Sequence, residues 1–522
     1  MRRFNVTGIC VPGKHYMVDI SGKLAKIKEM VDYGDYFTIN RARQYGKTTT
    51  LSLLEEKLKS AYTVASISFE RLGDENFESA AAFCRAFMRL IHRTLAFTDV
   101  SDEYRESWLN SDVSDFNDLS FHITEMCKDR KLVLMIDEVD KTSSNRTYLH
   151  FLGMLRDKYL ERAKNRDHTF HSVILAGVYD IRNIKLKLIN EGVYAPLATE
   201  GKLYNSPWNI AADFDVDMSF SVPEITTMLA EYEADHSTGM DVPAVAGEIY
   251  GYTSGYPFLV SRICQYIDMK AGKDWTLRGV QIAVNAILPE SNTLFDDLYK
   301  NLENNESLYS LIYDILMLGK KRTYAVGSPA VGLAGIYGII READGSASVS
   351  NRMFELVICN HFIAKDEELQ KKRVTGVLQD DVADGGRFDM ELCLRKFAEH
   401  YAEMFSERDA GFIEREGRLL FLSYLKPLIN GQGFYHIESE LTDLRRIDIV
   451  VDFGSEQFII ELKLWKGGAE HLKAYEQLAG YLDSKGIATG YLLTFDFRKG
   501  VNKQPYAKWV ELGGKRIFDV VV

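Results

Sequence analysis

Two groups of residues in this 522-residue chain have types and spacings that suit chemistry. The first is the run Arg43-Gln44-Tyr45-Gly46-Lys47-Thr48-Thr49. Between a strand and a helix, such a run can wrap phosphates, because loop N–H groups face the anion at the positive end of the helix. Lys47 would reach the β- and γ-phosphates of ATP, Thr48 would ligate Mg2+ with Thr49 as a neighbour, and Gly46 would allow close backbone approach. The full pattern wants glycine at position 41, where this chain has Arg41. A bare GKT also occurs in surface turns, so a second half of the site must decide. KLVLMIDEVD at 131–140 is an apolar run ending in two acids. Asp137 would hold Mg2+ through water, and Glu138 would polarise an attacking water. The order and separation of the two motifs suit a β-α-β unit and point to a site for ATP with Mg2+.

The second group lies some 400 residues downstream. Asp448 sits in one strand-like run, and Glu461-Leu462-Lys463 in the next. Side chains alternate along a strand, so Glu461 and Lys463 share a face. An antiparallel neighbour would bring Asp448 beside Glu461, and two converging carboxylates make a hard oxygen site for Mg2+, with Mn2+ as a substitute. Such a metal would stabilise charge on a phosphodiester and lower the pKa of an attacking water. Lys463 would orient that water. The flanks Phe458, Ile459, Ile460, Leu462, Leu464 and Trp465 are apolar. In a central strand, the charges would be costly to bury without partners or metal. An acid from a preceding helix would complete the set; Glu414 and Glu416 are the candidates, with Glu416 preferred. Gln477 and Tyr481, four apart, share a helix face.

The elements that position these residues follow from hydrophobic pattern. YFTIN (36–40), VASISF (64–69), LVLMI (132–136) and SVILAG (172–177) are β-like runs separated by helix-length segments. That spacing predicts βαβ units and a mostly parallel sheet. Residues 223–270 read as helices interrupted by GYTSGYP at 251–257. There Pro257 either packs against an adenine or simply breaks a helix. Asp180 or Arg182, after the fourth run, are placed to sense a γ-phosphate, although a loop ion pair is the favoured reading. Residues 332–362 read as helix, hairpin and helix with Asp344-Gly345 at the turn, a winged-helix-like pattern. The polar stretch 365–387 is the best linker. Beyond it, 390–405 and 413–429 read as helices, and 433–440, 446–453 and 457–465 as a meander of strands. A helix at 469–484, a strand at 489–495 and a terminal strand near 516–521 complete the pattern.

Composition sets the frame. A formal charge of −12 argues against non-specific coating of nucleic acid. The segment 391–522 is nearly balanced, with 18 basic and 20 acidic residues, so no basic footprint marks it. Six scattered cysteines form no CxxC or Cys/His cluster, which argues against structural zinc and a disulfide framework. No leader or membrane span is read, and the expectation is a cytoplasmic protein.

HYMVDISGKL (15–24), FTINRARQYGKTTTLSLL (37–54), LMIDEVD (134–140) and SPWNIAADFDVDMSF (206–220) resemble the AAA-ATPase-like family of bacterial proteins. In that family an arginine-rich segment replaces the first loop glycine, which accounts for Arg41. GYP at 255–257 is similar to the GxP element of STAND-type ATPases, whose nucleotide state controls assembly. The D…ExK pattern with Gln477 and Tyr481 resembles PD-(D/E)XK nucleases of the RecB-like kind, a domain that often follows the ATPase in one chain. The resemblance implies an α/β protein: a P-loop domain at 1–222, a helical lid at 223–290, a winged-helix-like module at 291–375, a linker at 376–389 and a nuclease-like domain at 390–522. The implied function is an ATPase that controls a Mg2+-dependent DNA nuclease. The alternative is a nucleotide-dependent switch whose nuclease-like domain binds without cutting. The partners expected are ATP, DNA and further copies of the chain, with no membrane.

Overall fold

The four apolar runs of the N-terminal part pair as one parallel sheet in the computed structural model. It describes residues 2–109, 113–139, 146–178, 208–317, 320–370, 383–384, 387–404, 421–422, 424–425, 428–429, 433–436, 449–453, 456–465, 467–496 and 506–522. The strands are β1 (Tyr36–Asn40), β2 (Thr63–Ser68), β3 (Leu132–Asp137) and β4 (Ser172–Gly177), in the order β1-β4-β3-β2. Every pairing is parallel. β3 and β4 are buried along their whole length. Parallel sheets are covered on both faces, which is why these strands read as unbroken apolar runs.

The connecting helices Lys47–Leu58, Ala80–Leu95, Phe116–Cys127 and Arg146–Ala163 supply that cover. Two of them start at side-chain caps: Ser79 accepts from the Ala82 N–H, and Asp115 from Asn117 and Asp118. Phe83, Phe87, Tyr148, Phe151 and Trp108 fill the core beside the sheet. Because the strands run one way, their C-terminal ends share one edge. Ligands of open α/β sheets bind at that edge.

Three further helices follow: Val222–His236, Val242–Thr253 and Pro257–Met269. The first has a full capping box between Ser221 and Glu224, and the third opens on Pro257. All three lie in the first of two compact units, Met1–Leu277 with Gly332–Gly338. The second unit comprises Arg278–Val331 and Ile339–Val522.

In the second unit, helices Thr293–Glu303, Glu306–Leu316 and Arg352–Gln370 accompany the antiparallel hairpin of β5 (Ile340–Ala343) and β6 (Ser346–Val349). Asp344 and Gly345 turn it at φ of 48° and 77°, the left-handed pair that a tight hairpin requires. Of the expected linker stretch 365–387, residues 365–370 belong instead to helix Arg352–Gln370, and further on the described residues form a short ladder between β7 (Ala383–Asp384) and β8 (Arg387–Phe388). Helix Met390–Met404 follows.

A six-stranded sheet closes the chain. It contains β9 (Gly433–His436), β10 (Ile449–Phe453), β11 (Glu456–Leu464), β12 (Thr489–Phe495), β13 (Tyr506–Leu512) and β14 (Lys515–Val521). Their order is β13-β14-β12-β11-β10-β9. β9, β10 and β11 form the antiparallel meander read from the sequence. β11, β12 and β14 run parallel. Leu478 and Leu482 of helix Gly468–Lys485 pack with Ile459, Leu492 and Ile517 of the sheet.

The edge strand β13 and the helices Leu277–Ile287 and Thr293–Glu303 are additions to the sequence reading. β13 is half exposed and carries Lys508 and Glu511, so it shows no clean apolar alternation. No helix among the described residues is long and apolar enough to cross a membrane.

Candidate functional site

The loop after β1 carries the first constellation. Gly46 has φ 78° and Gln44 φ 57°, left-handed positions that fold the chain back before helix Lys47–Leu58. Gly46 is required for its backbone rather than its size: a Cβ there would meet Pro257 at an ordinary 3.9 Å. Lys47 is 7% exposed and donates to the carbonyls of Arg41 and Ala42 at 2.9 and 3.0 Å. The Thr48 hydroxyl donates to Asp137 Oδ2 at 2.7 Å. Asp137 Oδ1 accepts the Glu138 N–H at 2.9 Å. Glu138 has φ 57°, a left-handed conformation unusual for a residue with a side chain. β1 and β3 are separated by β4, yet their parallel course brings the two motifs to one edge.

Arg41 has a structural task at the glycine position. Its guanidinium donates to the carbonyls of Asn40 and Val216, both at 2.8 Å, and lies 5.5 Å over the Phe214 ring. Burial lowers its pKa. The arginine ties the loop entrance to the 214–216 segment, which follows a parallel bridge from Phe37 to Ala212 at the sheet edge. Thr49 is also engaged: its hydroxyl oxygen accepts the Cys10 N–H at 3.1 Å.

The GYP segment reaches the same loop. The Tyr256 hydroxyl donates to the Arg43 carbonyl at 2.5 Å, and its ring meets Tyr45 edge-on at 4.6 Å between centroids. Pro257 lies against Gly46. Gly255, at φ 75°, accepts the Phe220 N–H through its carbonyl at 2.8 Å. A Cβ on Gly255 would come within 1.9 Å of the Phe220 carbonyl oxygen. Tyr256 was not singled out from the sequence, although it sits inside the GYP signal. Asp180 and Arg182 lie outside the described residues.

The second constellation is built on β11, between β10 and β12. Glu461 is fully buried, and Lys463 Nζ lies 2.6 Å from Glu461 Oε1. The two therefore share a strand face, as period two requires. The described β10–β11 pairing starts with Ile449 opposite Ile460. Asp448, Glu414 and Glu416 lie outside the described residues. Among the described residues no group of three or more His, Cys, Asp or Glu side chains is arranged to hold a metal.

Gln477 does join Lys463. Both line a cavity of about 210 Å3, with Trp465, Glu470, His471 and Lys473 among the other walls. Lys473 is held by Glu470 at 2.7 Å. Tyr481 points into the apolar cluster between helix and sheet. His471 was missed in the sequence because its partner, Asp519, is 48 residues away.

The AAA-like domain family pattern matches residues 13–355. No curated protein matches the chain. Among solved structures, a Walker-type ATPase of Pyrococcus abyssi aligns at 10% identity and TM-score 0.47, over 68% of this chain and 99% of that one. The RuvB Holliday junction branch migration motor of Thermotoga maritima aligns at 12% identity and TM-score 0.32, over 69% and 96%. The ADP form of the ORC2 protein of Aeropyrum pernix aligns at 14% identity and TM-score 0.33, over 66% and 93%.

Proposed function

This chain belongs to the AAA-like domain family, and on that premise we propose that it binds and hydrolyses ATP and uses the nucleotide state to control a DNA nuclease site in the same polypeptide. The observation that carries the ATP site is the 2.7 Å bond between Thr48 and Asp137, which joins loop and strand motifs. A hydroxyl beside a carboxylate is a set of hard oxygen donors that fits Mg2+. Thr48 and Asp137 would hold the ion, which supplies positive charge against the phosphates. Lys47, now on the Arg41 and Ala42 carbonyls, turns to the β- and γ-phosphates. The loop amides from Arg43 to Thr49 cradle them, and Glu138 orients the attacking water.

The nuclease reading rests on the buried Glu461–Lys463 pair and on Gln477 at the same cavity. Glu461, a fully buried carboxylate, fits one ligand position of a Mg2+ or Mn2+ site. Asp448 and Glu416 are the proposed partners, and the ion supplies charge stabilisation at a phosphodiester. Lys463 orients or activates the water, and Gln477 approaches the metal site or the DNA. The proposed organisation keeps the segments 1–222, 223–290, 291–375, 376–389 and 390–522.

A nucleotide-dependent switch without cleavage is the second reading. It is favoured by the direct contact of Tyr256 and Pro257 with the phosphate loop, a route from bound nucleotide to the 222–269 helices. Plasmid nicking in Mg2+ or Mn2+ separates the two. The nuclease reading expects nicked and linear products from wild type and none from Lys463→Ala. No cutting by wild type under any nucleotide condition leaves the switch.

A further inference from the structure

The cavity beside Lys463 contains a second donor built on the same plan as the first. His471 is 8% exposed and lies in the first turns of helix Gly468–Lys485. Its Nε2 is 3.0 Å from Asp519 Oδ2, and the Tyr506 hydroxyl is 3.2 Å from the same nitrogen. Asp519, on β14, is fully buried and also accepts from the Tyr475 hydroxyl at 2.5 Å. Burial and the Asp519 charge push the pKa of both phenols up, so they remain protonated. A carboxylate facing Nε2 requires a hydrogen on that nitrogen, which fixes the ring by one edge. Trp465 packs against the ring at 4.8 Å between centroids. Nδ1 makes no hydrogen bond to any described residue.

Two carboxylate-backed basic side chains therefore border one space. Glu461 and Asp519 are both at 0% exposure, while Lys463 and His471 stand in front of them on the cavity wall. Gln477 adds an amide and Lys473 an ammonium, the latter paired with Glu470, whose carboxylate also lines the cavity. The cavity opens beside the start of an 18-residue helix whose N-cap, Gly467, has no side-chain cap. Its first N–H groups then favour an anion as well. The cavity, of about 210 Å3, has room for a phosphate with its flanking oxygens.

We propose that this cavity is a phosphate pocket in which the imidazolium form of His471, with its Nε2–H on Asp519, donates its Nδ1–H to a phosphate oxygen of a DNA strand. This rests on the nuclease reading for the source of the phosphate, but the pocket itself does not depend on cleavage. Asp519, Tyr475 and Tyr506 are positioning residues behind the imidazole. Phosphate that arrives free in solution would meet the same donors, so the test carries both.

The experiment uses the full chain in EDTA, which withholds the metal that the proposed cleavage needs and keeps inorganic phosphate in solution. Anisotropy of a labelled single-stranded DNA is measured with and without competing inorganic phosphate, beside thermal melting and Mg2+ cleavage kinetics. Two variants divide the roles of the ring nitrogens. His471→Gln keeps a polar atom at the Nε2 position, towards Asp519, and loses Nδ1. His471→Asn keeps a donor at the Nδ1 position. The expectation is about tenfold weaker DNA and phosphate binding for His471→Gln, as for loss of a hydrogen bond to a charged group, and less than about threefold for His471→Asn. In cleavage, His471→Gln raises KM more than it lowers kcat. Wild-type affinity in His471→Gln overturns the proposal, and so does a loss equal in both variants that follows their melting temperatures. If wild type binds DNA and phosphate through His471 but never cuts, the pocket stands and the nuclease reading fails. If wild type cuts and His471→Gln is unaffected, the pocket alone fails. If wild type binds neither probe, the pocket is refuted.

Discussion

The chain joins a carboxylate to its working partner in two places, and it does so in opposite ways. In the first unit, Asp137 ends a strand and meets Thr48 at the start of a helix, at the open edge of a parallel sheet. Each group is carried by a contiguous motif, and the loop that leads into Thr48 folds back through left-handed residues at Gln44 and Gly46. In the second unit, Glu461 and Lys463 stand two residues apart within a central strand. There the strand period sets the geometry, and the supporting groups come from distant segments. A loop site can reshape around phosphates. A strand site is rigid, and any fault in its charges falls on the fold itself.

That contrast can be broken by exchange of defects. Lys463→Ala is expected to lower DNA cleavage by about a thousandfold and leave ATP hydrolysis unchanged, whereas Lys47→Ala lowers ATP hydrolysis by about a hundredfold or more, both on the scale of lost transition-state electrostatics. Parallel plasmid and phosphate-release assays check this. Loss of ATP hydrolysis in Lys463→Ala, equal to its loss of cleavage, would erase the distinction.

Gly255→Ala sharpens the view of the first site from the GYP segment. The new Cβ would strike the Phe220 carbonyl at a φ that favours glycine. The expected cost is about 3 kcal/mol, from a strained left-handed residue plus a clash. It would appear as a lower melting temperature, with weaker ATP binding by calorimetry. A smaller effect is expected from Lys463→Ala on stability. Removal of the lysine leaves the fully buried Glu461 without it, a cost of about 2 kcal/mol after allowance for the 30% exposure of Lys463. Glu461→Gln in the same chain should restore most of that loss in a thermal-melt cycle. The smallest effect is that of Tyr256→Phe. It removes one bond to the Arg43 carbonyl and should weaken ATP binding by about 1 kcal/mol, roughly fivefold.

How much of this was legible in the sequence also divides between the two regions. β1 and β4 match the reading to the residue, because buried parallel strands are short apolar runs bounded by polar ones. β12 does the same. The meeting of Thr48 with Asp137 was legible because each motif is spelled contiguously. The role of Arg41 was not: it acts on backbone carbonyls of Asn40 and Val216, which leave no trace in residue type. Tyr256 was hidden for the same reason, since its partner is the Arg43 carbonyl. In the second unit the Glu461–Lys463 face follows from period two alone. His471 with Asp519 does not, because β14 enters the sheet by tertiary pairing that no spacing encodes.

The central claim is that the loop at Lys47 governs the site at Lys463. Plasmid cleavage by wild type and Lys47→Ala, each with ATP, ADP or a non-hydrolysable ATP analogue, tests it directly. The account predicts that wild-type cleavage changes with the nucleotide supplied and that Lys47→Ala is locked at one rate whatever is added. Cleavage by Lys47→Ala at the wild-type rate, with the same response to every nucleotide, would contradict it.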